Sequence, residues 1–151
     1  MKKVLVALDG SEREKAVLDA GVMMAKALGA SLILLRVIGI HVDIPLDLVR
    51  VSPAEFEVQL QKRAKESLAS LAASIPAGVE WTSQVVTGVP WDAIGWVAKS
   101  EDVDLVIIGA HGYGRIDRII GTTASRVVNH ADRSILVVRE EARLEGGEKH
   151  P

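Results

Sequence analysis

Four short aliphatic runs limit what this chain can fold into. Val4 to Leu8, Ser31 to Ile38, Asp104 to Ile108 and Ser134 to Val138 are apolar almost throughout, over five to eight residues each. A strand with one wet face alternates apolar and polar residues, so runs without that alternation belong to strands covered on both faces, as in parallel sheets flanked by helices. The stretches between them carry the helical period. Ala16, Val17, Ala20, Met23, Met24, Ala27 and Leu28 recur until Gly29, after an opening in which Ser11 and Glu14 have the spacing of a capping box. Ser52-Pro53-Ala54-Glu55 has the same spacing with proline at the first helical position, and opens a helix to about Ser74. Between Pro90 and Ser100, Trp91, Ile94, Gly95 and Ala98 fall on one side of a further helix, and Gly121 to His130 forms the last. Only Val79 to Val86 alternates, which predicts a strand near a sheet edge. Strands and helices taking turns in this way predict an α/β fold: one open, parallel, five-stranded sheet with right-handed crossovers.

At 151 residues the chain suits a single domain, read as 1–139, followed by a charged, glycine-containing tail over 140–151. It has no cysteine, which excludes disulfides, thiolate metal sites and a cysteine nucleophile. With 18 basic and 20 acidic residues the net charge is −2, which argues against a nucleic-acid partner. Asp9 interrupts the N-terminal apolar run too early for a signal peptide, and no run approaches the ~20 residues of a membrane span, so the expected location is cytoplasmic. The long connection from Gly39 to Ser52 reads either as a lid or partner surface or as a flap packed on its own domain. Trp91 and Trp96 read as core or dimer packing, with nothing basic near them in the sequence to make a stacking platform.

In an open α/β sheet, ligands sit outside the carboxyl ends of the strands, where strand order reverses. Three loops have that position: Asp9-Gly10-Ser11, the end of the second strand at Val37, and Gly109 to Gly121. Their chemistry is complementary. Asp9 can accept hydrogen bonds from ribose hydroxyls or an adenine amino group, and the backbone near Val37 can meet a purine edge. The glycine-rich loop leads into a helix start whose N–H groups lack intrahelical partners and favour an anion. A nucleoside phosphate uses all three.

VLVALDGSE, LILLRVI, VTGVPWDAI and DLVIIGAHGYGRIDRIIGTTASRVVNHADRSILVV together resemble the universal stress protein family over nearly the whole chain. Gly109, Gly112 and Gly121-Thr122 correspond to the glycine pattern of its nucleotide-binding branch, with eight residues between Gly112 and Gly121 where about nine are usual. The resemblance implies a sheet order of 3-2-1-4-5 with helices on both faces, and a homodimer through the fifth strand, Ser134 to Arg139. It implies an adenine nucleotide, ATP or else ADP or AMP with magnesium, in a stress-response regulatory protein with at most slow hydrolysis. Ala7, Leu8, Asp9, Gly10 and Ser11 would meet ribose and adenine, Val37 the adenine, and Ile108 and Gly109 the nucleoside. Gly112, Gly121, Thr122, Thr123 and Ala124 would hold the phosphates.

His111 can touch phosphate or support water attack, or stand by in its loop, and Arg115 and Arg118 can neutralise phosphate or remain solvated. Asp9 can also serve only to cap the first helix, and Thr122 or Thr123 the last. No metal-ligand spacing links the four histidines, and neither a Gly-x-Ser-x-Gly elbow nor a P-loop lysine motif is present. The chain is therefore read as a nucleotide-binding regulator with a protein partner still to be identified, not as a dedicated enzyme. The alternative is a dimeric interaction module of the same fold without nucleotide.

Overall fold

The computed structural model describes residues 2–39, 52–110 and 121–139. In chain order its elements are β1 (Lys3–Ala7), α1 (Glu14–Leu28), β2 (Ser31–Ile38), α2 (Pro53–Ala72), β3 (Trp81–Thr87), α3 (Pro90–Ser100), β4 (Leu105–Gly109), α4 (Thr122–His130) and β5 (Ser134–Val138). All four strand pairings are parallel, in the order β3-β2-β1-β4-β5. The expected fold class and strand order are both present.

Successive strand residues face opposite ways, and the aliphatic runs feed two cores accordingly. Val4, Val6, Leu32, Leu34 and Ile107 pack with Val17 and Leu18 of α1 and Leu68 and Ala72 of α2. Leu5, Ile33, Leu35, Val106 and Ile108 pack with Ile94, Val97 and Ala98 of α3 and Ala124 and Val127 of α4. Helices thus cover both faces. β3 is the edge strand that its alternation indicated, although it begins at Trp81, two residues later than the pattern suggests, and Trp81 is half exposed.

Helix ends follow local chemistry with one exception. Gly29 stops α1 in the left-handed region at φ 63°, where a side chain would be strained, and its N–H bonds to Ala25 O. At the start of α2, Glu55 N donates to Ser52 Oγ at 3.2 Å and Ser52 N donates to Glu55 Oε2 at 3.2 Å, a complete capping box. Ser52→Ala removes one half of that exchange. It is expected to lower stability by about 1 kcal/mol, read as a lower urea midpoint at unchanged m-value.

The Ser11–Glu14 box does not form. The N-cap of α1 is Arg13, without a side-chain cap, and Glu14 turns back instead to Gly10 and Arg36. Ser11 Oγ accepts from Arg13 N at 3.3 Å within the loop. A long-range cation outcompetes the local cap because pairing with a full charge in a nearly dry site, with Gly10 N–H bonded to the same oxygen, is stronger than one solvent-exposed bond to the N-cap N–H.

Candidate functional site

β1 and β4 lie side by side at the centre of the sheet, and the chain leaves them in opposite directions along the strand order. That is the switch point, and a cavity of about 280 Å3 opens at its carboxyl end. Ala7, Leu8, Asp9 and Ser11 reach it from β1 and the following loop, Val37 and Gly39 from the end of β2, Ile108 and Gly109 from β4, and Thr123 and Ala124 from the first turn of α4. These include nine of the positions singled out in the sequence. Gly10, Gly121 and Thr122 do not line the cavity, and His111, Gly112, Arg115 and Arg118 lie outside the described residues.

The sequence did not point to the rest of the wall. Pro90 and Ile94 of α3, Leu35 of β2 and Val17 of α1 make much of it apolar, and Arg13 adds a cation to the lining. Pro90 and Ile94 are separated from the glycine loop by a whole strand, so only the packing of α3 on the sheet brings them there.

Asp9 is exposed and folds back through Oδ1, which accepts from Ser11 N at 2.9 Å, an Asx-type turn that fixes the carboxylate over the cavity rather than capping α1. The strand-to-loop exit is fixed by a buried cation. Arg36, on the exit half of β2, donates from Nε to Leu8 O at 2.8 Å and from Nη2 to Glu14 Oε2 at 2.6 Å, and that same oxygen accepts from Gly10 N at 2.9 Å. The available signal was a lone arginine in an otherwise aliphatic strand, SLILLRVI. Across the cavity, Gly121 is the N-cap of α4 and donates from its N–H to Ala110 O at 2.7 Å. Neither threonine caps the helix. Both are exposed, and Thr123 faces the cavity.

Of the two tryptophans, Trp91 packs against the core under α3 and α4 as expected, but with basic side chains beside it. The guanidinium carbon of Arg126 lies 5.8 Å from the ring centre of Trp91, and His130 packs on that ring at 4.8 Å between centroids. Trp96 is 67% exposed and is no part of this chain's core.

The family model that describes universal stress proteins matches residues 1–139. The chain belongs to the universal stress protein family. Universal stress protein A homolog 1 of Coxiella burnetii is 24% identical over 91% of the chain and 95% of its own length. Among solved family structures, that of UspA from Lactobacillus plantarum is 28% identical, covers 91% of this chain and 97% of its own, and superposes with a TM-score of 0.72. The structure of MJ0577, a universal stress protein of Methanocaldococcus jannaschii, is 25% identical, covers 93% of this chain and 96% of its own, and superposes with a TM-score of 0.73. The same fold, at 19% identity and a TM-score of 0.63, covers 91% of this chain and 97% of the Archaeoglobus fulgidus universal stress protein, which was solved in complex with dAMP. No helix among the described residues is long and apolar enough to cross a membrane.

Proposed function

We propose that the cavity binds an adenine nucleotide, ATP or its di- or monophosphate, and that the protein is a stress-response regulator whose state follows nucleotide occupancy. The observation that carries this reading is the convergence of an acceptor at Asp9, an apolar slot at Val37, Ile94 and Ile108, and a helix start at Thr123 and Ala124 on one cavity. The base would occupy the slot between Val37 and Ile94, the ribose hydroxyls would donate to Asp9, and the phosphates would lie toward the first turn of α4 and the glycine loop. Arg13, on the cavity wall, adds positive potential for the phosphates. Among the described residues, Asp9 is the single carboxylate on that wall and no cluster of three metal-ligating side chains exists. Magnesium therefore fits as an ion carried on the phosphates, with water completing its shell. The complex with dAMP in a protein of the same fold supports the adenine assignment.

Residues 1–139 act as the nucleotide-binding domain in this reading, with 140–151 as a charged tail. β5 is apolar, half-buried along Ile135 to Val138, and sits at an open sheet edge, which suits pairing with a second copy. A homodimer through β5 completes the proposal, in the cytoplasm and with a protein partner as its output.

Calorimetric titration with ATP and magnesium tests the site. Asp9→Ala is expected to weaken binding about tenfold, the loss of one to two hydrogen bonds to an anionic acceptor, while the free protein loses no more than about 1 kcal/mol with the exposed Ser11 N–H bond. If the parent protein takes up no nucleotide at millimolar concentration, the reading is wrong and the interaction module without nucleotide replaces it.

A further inference from the structure

The two residues that flank Asp9 are both held, and by the same pair of side chains. Before it, Leu8 C=O accepts from Arg36 Nε at 2.8 Å; after it, Gly10 N–H donates to Glu14 Oε2 at 2.9 Å. The 2.6 Å ion pair between Arg36 and Glu14 joins the two grips into one clamp. Gly10 stands in the left-handed region at φ 81°, and a Cβ there would come within 3.3 Å of Arg36 Nη1, so the loop closes directly over the guanidinium. Arg36 also reaches Ser67 Oγ of α2 at 3.4 Å, which anchors the clamp to the helix layer of α1 and α2. Neither Arg36 nor Glu14 lines the cavity, whereas Val37, the next residue along β2, does.

We propose that Arg36 and Glu14 are positioning residues for the nucleotide, which set the path from Leu8 to Ser11 and thereby place the Asp9 carboxylate. This rests on the nucleotide reading above. A short loop between a strand and a helix has several accessible paths, and a ligand that must select one of them binds more weakly than one that meets the loop already in place. The clamp removes that selection from the outer side of the loop, leaving Asp9 free to face the ligand. Stability alone is a poor reason for a charged pair here. A buried ion pair exchanged as a whole for apolar side chains of similar size usually costs little, while removal of one partner strands the other.

That asymmetry separates the two roles. Arg36→Met, Glu14→Leu, the double variant and Arg36→Lys are compared with the parent by melting temperature and by calorimetric titration with ATP and magnesium. Each single truncation is expected to melt lower and to bind at least tenfold more weakly. The double variant is expected to regain most of the melting temperature while keeping the tenfold loss of affinity. Arg36→Lys keeps the charge but not the fork that serves Leu8 O and Glu14 together, so it recovers part of the affinity at most. In the ligand-free protein, exchange of the Gly10 amide hydrogen is expected to speed up at least tenfold in Glu14→Leu. Parental affinity in the double variant overturns the proposal while leaving the nucleotide reading intact, and so does unchanged Gly10 exchange. A parent protein that binds no nucleotide overturns both.

Discussion

Leu34→Ala is expected to destabilise the protein by about 3–4 kcal/mol, a fall in melting temperature of roughly 10 °C for a domain of this size. Leu34 is fully buried at the middle of β2, between Val6 of β1 and Ser83 of β3 in the strand register. It belongs to the core under α1 and α2 with Val6, Leu18 and Leu68. Removing three carbons there forfeits their transfer free energy and leaves a void. Strands hydrogen-bonded on both sides cannot close in on that void, so the loss should stay well above the lower end of the range for such truncations. Met23→Ala is the matched control: Met23 lies on the outer face of α1 at 63% exposure and should change stability by no more than about 0.5 kcal/mol. Urea unfolding of both variants, with m-values checked for constancy, measures the contrast. A loss below about 1.5 kcal/mol at Leu34 would mean that α1 and α2 settle onto the gap, and that the packing of this face is softer than its burial indicates.

How much of this was legible in the sequence depends on the distance over which each feature is decided. The aliphatic runs announce doubly covered strands because burial on both faces is written residue by residue, and polar Thr82, Ser83 and Gln84 mark β3 as an edge in the same local way. β5 shows the limit of that logic. SILVV has the composition of a central strand, yet it occupies the other edge with Ile135 to Val138 only half-buried, since composition records what a strand can bury and not where the chain places it. Long-range partners were hidden for the same reason. Ser11 and Glu14 satisfy a capping pattern three residues apart, but Glu14 is claimed by Arg36, 22 positions away, and nothing local distinguishes the two outcomes. Trp91 and Arg126 likewise meet only because α3 and α4 pack together. In the candidate site, the cavity residues at the ends of β1, β2 and β4 were legible because strand ends at a switch point have a known address, whereas Pro90 and Ile94 entered through helix packing.

Gly21→Ala sets a local rule against a packing contact, and the contact is expected to win. Gly21 is in the interior of α1, where alanine is ordinarily better by about 1 kcal/mol because glycine loses more backbone entropy on entering a helix. A methyl group at Gly21, however, would lie 2.6 Å from Val6 Cγ2, far inside van der Waals contact. Val6 cannot retreat: it is fully buried in β1, paired with Leu34 on one side and Ile107 on the other. The helix must therefore lift from the sheet, opening the contacts of Val17 and Leu18 below it. Overpacking of this kind costs up to about 3 kcal/mol, which exceeds the propensity gain and leaves a net loss of about 1–2 kcal/mol. The clash belongs to one pair of atoms, so shortening Val6 should relieve it. Val6→Ala alone should cost about 2–3 kcal/mol through the cavity it leaves, whereas Val6→Ala with Gly21→Ala together should cost less than the sum by at least 1 kcal/mol, because the new methyl fills part of the old void. Urea denaturation of the four proteins closes the cycle. Additive losses, or a net gain from Gly21→Ala alone, would show that the spacing between α1 and the sheet is set by other contacts, and that the glycine is not what lets α1 pack so closely on β1.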